Sequence, residues 1–551
     1  MKPAGGGIDR RAFLGYATLL AAAATHPSPS FAAAGRRRLG TPTVPLAGSF
    51  ELEEATVAGL QIEMQAGRLT ARELVEQYLA RIEKLDRQGP ALHSIIETNP
   101  DALELAEELD RERKAKGPRG PLHGIPVLLK DNIDTADRMT TTAGSLALEG
   151  SVARTDSRVA ARLRGAGAII LAKANMSEWA NIRSTHSTSG WSARGGQCRN
   201  PYVLDRNPCG SSSGSAVAAA ANLCAVAVGT ETDGSIVCPA SNNGIVGLKP
   251  TVGLVSRAGI IPISHTQDTA GPLCRTVADA AVLLRALAGQ DPRDPATASS
   301  RNIPKDYTRF LNLMGLRGAR IGVARAKFFG YSDAADRLAE AALEVLRREG
   351  AVLVDPANVP HAGEYDDAEL EVLLYELKAD LNTYLEGLGP AAPVKTLQDV
   401  IDFNQQHRDR EMPYFGQELF LQAQEKGPLT SPAYVKALGK CRRLSRRLGI
   451  DAVMTKHKLD ALVAPTGSPA WPTDLVNGDH FTGGSSTPAA VAGYPSISVP
   501  MGFVYDMPVN ISFFGRPWSE PVLIRIAYAY EQATKHRRPP GFLPTAQLTP
   551  A

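Results

Sequence analysis

Apolar residues recur along this chain in two rhythms, one of helices and one of buried strands. In "TARELVEQYLARIEKL" (70–85), Leu74, Val75, Tyr78, Leu79 and Ile82 fall at helical spacing and gather on one face. Thr70 and Glu73 form a capping-box start for that helix. The rhythm changes in "HGIPVLLKDNID" (123–134), a short continuous apolar run that predicts a strand ending at Lys130. "DSRVAARLRGAGAIILAK" (156–173) predicts a helix, a glycine stop and a buried strand. "SSSGSAVAAAANLCAVAVGTETDGS" (211–235) predicts a helix of small residues and then the strand "CAVAVGT". Near 318–355 the alternation returns as "ARIGVAR", "DAADRLAEAALEVLRREG" and "AVLVD". A charged helix follows over 366–387, and "LDALVAPTGSPAWP" and "AGYPSISVPMGF" close the chain with further strands and loops.

Strands alternating with helices predict an α/β layer fold. No internal repeat and no long linker divides it, so one large domain is expected over 51–538. It carries a helical insertion at about 360–450 and ends in a tail at 539–551. The 551 residues are 43% hydrophobic and 21% charged, a globular composition with material for a large core.

The first 34 residues read differently. Arg10-Arg11 in "DRRAFLG" precede the soft apolar run "AFLGYATLLAAAA", and "SFAAA" offers an A-x-A cleavage pattern ending at Ala34. The run is shorter than the ~20 residues of a membrane span. Paired arginines before a weak apolar core resemble a twin-arginine export signal. Cleavage after 34 is expected, with 35–50 as a leader and the working protein periplasmic or secreted, free of the membrane. A net charge of +3, with basic runs only at 35–40, 441–447 and 535–540, leaves no stripe for nucleic acid.

The six cysteines hold no C-x-x-C pair and make no disulfide framework. Buried free thiols are expected, with a chance disulfide open to an exported protein. The ten histidines form no H-E-x-x-H or Cys/His cluster, so neither a metal nor another cofactor is expected. The glycine-rich "CGSSSGS" (209–215) lacks the lysine of a phosphate-binding loop. Trp179, Trp191 and Trp471 are candidates for a pocket wall, although aromatic residues more often fill cores.

Three segments read together carry the chemistry: "GIPVLLKDNID", "CGSSSGSAVAAAAN" and "GTETDGSIVCPASNNGIVGLKPT". In this order and spacing the sequence resembles the amidase signature family, and the likeness extends over most of 50–535. The resemblance implies a single large domain whose mixed central β-sheet is covered by helices on both faces. It also implies a Ser–Ser–Lys triad. Ser235 would be the nucleophile, Ser211 the proton relay, and Lys130 the base, with Gly210 and Ser212 supporting the turn. A cis peptide bond before Ser211 is implied too. The backbone N–H groups of Thr232, Asp233, Gly234 and Ser235 would form the oxyanion hole. A lysine ordinarily titrates near ~10.4, so the base must be buried to lose its proton at neutral pH.

The sequence departs from the family's "G-T-D-x-G-G-S" and from the arginine that follows it. Glu231 and Asp233 replace Asp and Gly, Val237 stands where the arginine would be, and Cys209 opens the serine turn in place of glycine. These changes put the polar network around Ser235 in question. They also look like the bacterial peptide amidase branch, whose members release ammonia from C-terminal carboxamides of peptides. The expected partner is thus a small amide or short peptide amide. A broad amidase or aryl-acylamidase would use the same residues. A tRNA-dependent amidotransferase component works in the cytoplasm, which the export signal opposes. A non-catalytic exported binding protein on this scaffold would have lost one of the three catalytic positions, and all three are present.

Overall fold

The computed structural model describes residues 52–390 and 392–548. The expected export signal and the leader at 35–50 lie outside these residues. Eleven strands of the described chain form one sheet. They are β1 (Ile95–Thr98), β2 (Pro126–Lys130), β3 (Ile169–Ala174), β4 (Val226–Glu231), β5 (Val246–Lys249), β6 (Thr269–Cys274), β7 (Arg320–Val323), β8 (Val352–Val354), β9 (Ala461–Pro465), β10 (Ser496–Val504) and β11 (Met507–Phe514). Their spatial order is β1-β3-β2-β4-β6-β5-β10-β11-β9-β7-β8. The strands β3, β2 and β4 run parallel, as do β9, β7 and β8, and the pairs between and beside these groups are antiparallel. The sheet is mixed, as expected.

Every residue of β2, β3, β4, β6, β9 and β11 is buried. Successive strand residues face opposite sides, so both faces of the sheet are covered. This explains the unbroken apolar runs, which an open sheet would replace with alternation. The helix predicted from Thr70 spans Ala71–Ile82 with its capping box formed, burying Leu74, Val75, Tyr78 and Ile82. Leu79 is half-buried against the same core. The charged helix spans Asp366–Gly387. Helical segments continue from it to His457, before β9.

Two strands had no clear signal. The chain turns from β10 to β11 on Tyr505 and Asp506, whose φ values are +52° and +72°. A two-residue hairpin with both central residues left-handed is a known turn geometry, but its usual glycine or asparagine is missing here. Strand β6 contains Gly271-Pro272, a pair that argues against a strand interior.

The parallel pair β2–β4 sets the site. Leu129 lies opposite Val228, so the carboxyl ends of both strands, at Lys130 and Glu231, open on the same edge. That edge is where open α/β sheets place ligands. The helix Ser213–Ala220 leads into β4 and packs beside β2, β3 and β4. Its Gly214 has no room for a side chain: a Cβ would press on the Ser94 carbonyl oxygen and on the Asn175 backbone. Gly214→Ala is expected to lower unfolding stability by about 1–3 kcal/mol or more through overpacking, measured by denaturant titration. An unchanged midpoint would show that the helix can shift freely.

Candidate active site

Lys130 ends β2 fully buried. Its Nζ donates to Thr230 Oγ1 (2.9 Å) and Thr230 O (3.3 Å) and lies 2.8 Å from Ser211 Oγ. Asn132 Nδ2 fixes the same threonine hydroxyl at 3.0 Å. No described carboxylate is within ion-pair distance of Nζ; Asp131 turns away and accepts from the Thr142 hydroxyl and from Gly144 N (3.0 Å). Lys130 is thus neither a surface lysine nor paired with Asp131. Burial pulls the Lys130 amine down from 10.5 to about 7, while the charges of Asp268 and Glu231 act weakly the other way. Two N–H bonds to Thr230 and a third contact to Ser211 suit a neutral amine, whose lone pair can then face the serine hydroxyl.

The Gly210–Ser211 peptide bond is cis, as the resemblance implies. Ser211 is fully buried, and its carbonyl accepts from Ser177 N at 3.1 Å. A side chain at Gly210 would collide with Ser177 Oγ. Ser212 Oγ donates to Thr230 O (2.9 Å) and accepts from Thr230 N (3.2 Å), and it does not cap the following helix. Ser212 N donates to Ser235 O at 3.2 Å, which ties the serine turn to the segment after β4.

Ser235 begins the approach to the short helix Val237–Asn242 and keeps 9% of its surface exposed. The N–H groups of Thr232, Asp233, Gly234 and Ser235 find no acceptor among the described residues. The turn thus holds four adjacent donors unspent. Gly234 has φ +78°, a region L side chains avoid.

The departures from the family pattern have definite places. Glu231 Oε2 accepts from Ile236 N (2.7 Å) and Val237 N (3.0 Å), so it caps the helix that follows Ser235. Asp233 Oδ2 accepts from Thr487 Oγ1 at 2.7 Å. Val237 is buried apolar surface. Cys209 has φ +57°, in the region that favours the glycine of the usual pattern. It is joined to Cys238 by a disulfide, which corrects the expectation of free thiols at these two positions. The reason is tertiary: the turn before Ser211 and the helix after Ser235 bring the two Cα atoms to 6.0 Å. Cys198, Cys224, Cys274 and Cys441 are free and buried, as expected.

Thr230, the first threonine of the quoted "GTETDGS", and Asp268 join the site in roles that the sequence reading does not assign. Asp268 accepts from Thr232 Oγ1 (2.6 Å) and from Ile263 N and Ser264 N (2.8 Å each). It links the donor turn to the loop before β6, and burial raises its carboxyl to about 6.

Two cavities meet this wall. One of about 460 Å³ is lined by Ser211, Thr230, Thr232, Ile260, Ile261 and Tyr384, among others. The other, of about 310 Å³, is lined by Gly210, Asp233, Gly234, Val237, Trp471 and Asp479, among others. Of the three candidate tryptophans, Trp471 lines this second cavity. Trp179 and Trp191 pack edge-on against Phe420 and Phe415.

The amidase family model matches residues 73–524, and this chain belongs to the amidase signature family of hydrolases. It is similar to the peptide amidase of Stenotrophomonas maltophilia, with 55% identity and a TM-score of 0.86 over 89% of this chain and 99% of that one. A probable amidase of Arabidopsis thaliana is 47% identical over 510 residues, 90% of this chain and 93% of that protein. A putative amidase of Schizosaccharomyces pombe is 37% identical over 534 residues, 91% of this chain and 88% of that protein.

The Lys130 amine should titrate near neutrality. Removing the Asp268 charge takes away a contribution that favours the ammonium, so Asp268→Asn should lower that midpoint further. The 13Cε shift of labelled Lys130 reads both, and a midpoint near the ordinary lysine value in either protein would contradict the assignment.

Proposed function

We propose that this hydrolase releases ammonia from C-terminal carboxamides of peptides, using Ser235, Ser211 and Lys130. The observation that carries the reading is the buried amine without a counter-ion, 2.8 Å from a serine hydroxyl whose turn is bonded to Ser235. Neutral Lys130 takes the Ser211 proton as Ser211 takes that of Ser235. Ser235 Oγ bonds to the carbonyl carbon, and the oxygen gains the electron pair of the C=O double bond. The N–H groups of Thr232 through Ser235 face that oxyanion; one such donor is worth roughly 3–4 kcal/mol in a transition state. When the tetrahedral centre collapses, the C–N bond breaks and the lysine proton returns through Ser211 to ammonia. Water then repeats the sequence on the acyl-serine, releasing the acid. The likeness to a peptide amidase supports the choice of substrate. No step calls for a cofactor.

The test pairs a blocked peptide amide with acetanilide and measures ammonia and aniline. Ammonia without aniline is expected. Aniline alone would move the function to an aryl-acylamidase with the same three residues. Ser235→Ala, Ser211→Ala and Lys130→Ala should each lower kcat by about three orders of magnitude, and double variants should lose little more, because the groups act as a unit. With the base at about 7, kcat/KM should rise with pH through that value and then level as the amine becomes fully neutral. Additive losses, or a rate flat across neutrality, would count against the triad.

We also propose that the protein works outside the cytoplasm. The paired arginines and the Cys209–Cys238 disulfide both support this, since disulfides persist in oxidising compartments. Expressed at full length in a bacterium with a twin-arginine pathway, the protein should appear in the periplasm, shortened and cross-linked between these cysteines. Unprocessed protein retained in the cytoplasm would reject the proposal.

A further inference from the structure

The smaller cavity beside Ser235 is chemically unlike the larger one. The larger mixes Arg257, His265 and Arg293 with Asp268, Asp294 and Asp380. The smaller holds Asp233 and Asp479, and among the described residues none of its lining is basic. Its wall also carries Trp471 and Phe481, whose rings meet edge to face at 5.7 Å. Trp471 Nε1 donates to Asp479 Oδ1 at 3.1 Å, so the indole and a carboxylate are set as one unit. Asp479 also accepts from Ser189 N and Asn207 Nδ2, all uncharged donors. Asp233 Oδ2 is taken by Thr487 and Ser486 stands beside the same carboxyl, while Oδ1 is buried with no hydrogen-bond partner among the described residues. The buried Lys249 in the vicinity spends its amine on the carbonyls of Tyr494 (2.6 Å) and Pro250 (3.2 Å).

We infer that this cavity receives a primary ammonium group of the substrate, held between Asp233 and Asp479 and against the aromatic wall. Carboxylates and aromatic faces are the two environments that bind an organic cation best, and here they share one cavity. An unpartnered buried carboxylate oxygen costs stability until a donor meets it. Burial raises both carboxyls above their ordinary range, so each gains by facing a positive charge. Gly210 and Gly234 line the same cavity, which sets the cation beside the reacting amide. The choice of substrate class rests on the peptide-amide reading, but binding is measurable apart from turnover. The ammonium has two sources in an amino-acid amide: the α-amino group or a lysine side chain.

Calorimetry on the Ser235→Ala protein separates them. N-acetyl-lysinamide against N-acetyl-norleucinamide tests the side chain, and leucinamide against N-acetyl-leucinamide tests the α-amino group. The cationic member of one pair should bind roughly tenfold or more tightly. The preference should vanish with Asp479→Asn. Phe481 is 52% exposed, so Phe481→Lys offers a second variant that places a competing ammonium at the mouth without disturbing the core. It too should abolish the preference for the cationic member. Equal affinity within both pairs, including absence of binding by all four, would overturn the inference, as would a preference that survives both substitutions. A wild-type protein that releases no ammonia from these amides, while the Ser235→Ala protein still selects the cation, would reject the hydrolytic reading and leave this one standing.

Discussion

The site depends on burying one lysine without giving it a negative partner. An unpaired ammonium in a protein interior is strongly disfavoured, and the group answers by losing its proton. Here the strand β2 carries Lys130 into the covered edge of the sheet, and Thr230 on the neighbouring strand offers two neutral oxygens. A carboxylate in that position would have fixed the charge. Asp131, next in the chain, is kept from the role by its own bonds to Thr142 and Gly144. The direction of one side chain thus decides whether the amine keeps its charge.

The serines are organised by backbone. Ser212 clasps Thr230 on both sides of its peptide group, and its N–H reaches the carbonyl of Ser235. Glu231 draws in the first N–H groups after Ser235, while the four before them stay unspent. The disulfide between Cys209 and Cys238 spans the same two segments from outside. Glu231 in place of aspartate keeps an acceptor at the helix start. Cysteine in place of glycine at 209 accepts a left-handed backbone and is cross-linked.

Much of this was legible in the chain. The apolar run before Lys130 marked a strand ending at that residue, and the capping box at Thr70 and Glu73 marked a helix start that the structure forms. The order and spacing of the segments holding Lys130, Ser211 and Ser235 carried the family resemblance, which implied that the three act together. What could not be read was set by distant parts of the chain. The pairing of Cys209 with Cys238 needs two turns to meet, and cysteine spacing does not encode connectivity. Asp268 stands in "TQDTAG" with nothing to distinguish it until its three donors are seen. The β10–β11 hairpin hid because Tyr505 and Asp506 adopt a turn usually given to glycine or asparagine.

The helices between Asp366 and His457 enter the chain between β8 and β9, both near one end of the sheet. From there they send Asp380 and Tyr384 into the wall of the larger cavity, while Lys130, Ser211 and Ser235 all come from the first half of the chain. The entropy of closing a loop grows only with the logarithm of its length. Exposed connections within this segment can therefore change length cheaply, but its helices cannot, since Leu377, Leu381 and Phe420 share a core with Ala147 and Trp179, and Glu411 accepts from the Ser145 hydroxyl. Asp380 and Tyr384 thus let one part of the chain shape what the larger cavity presents, while Lys130, Ser211 and Ser235 are held by another.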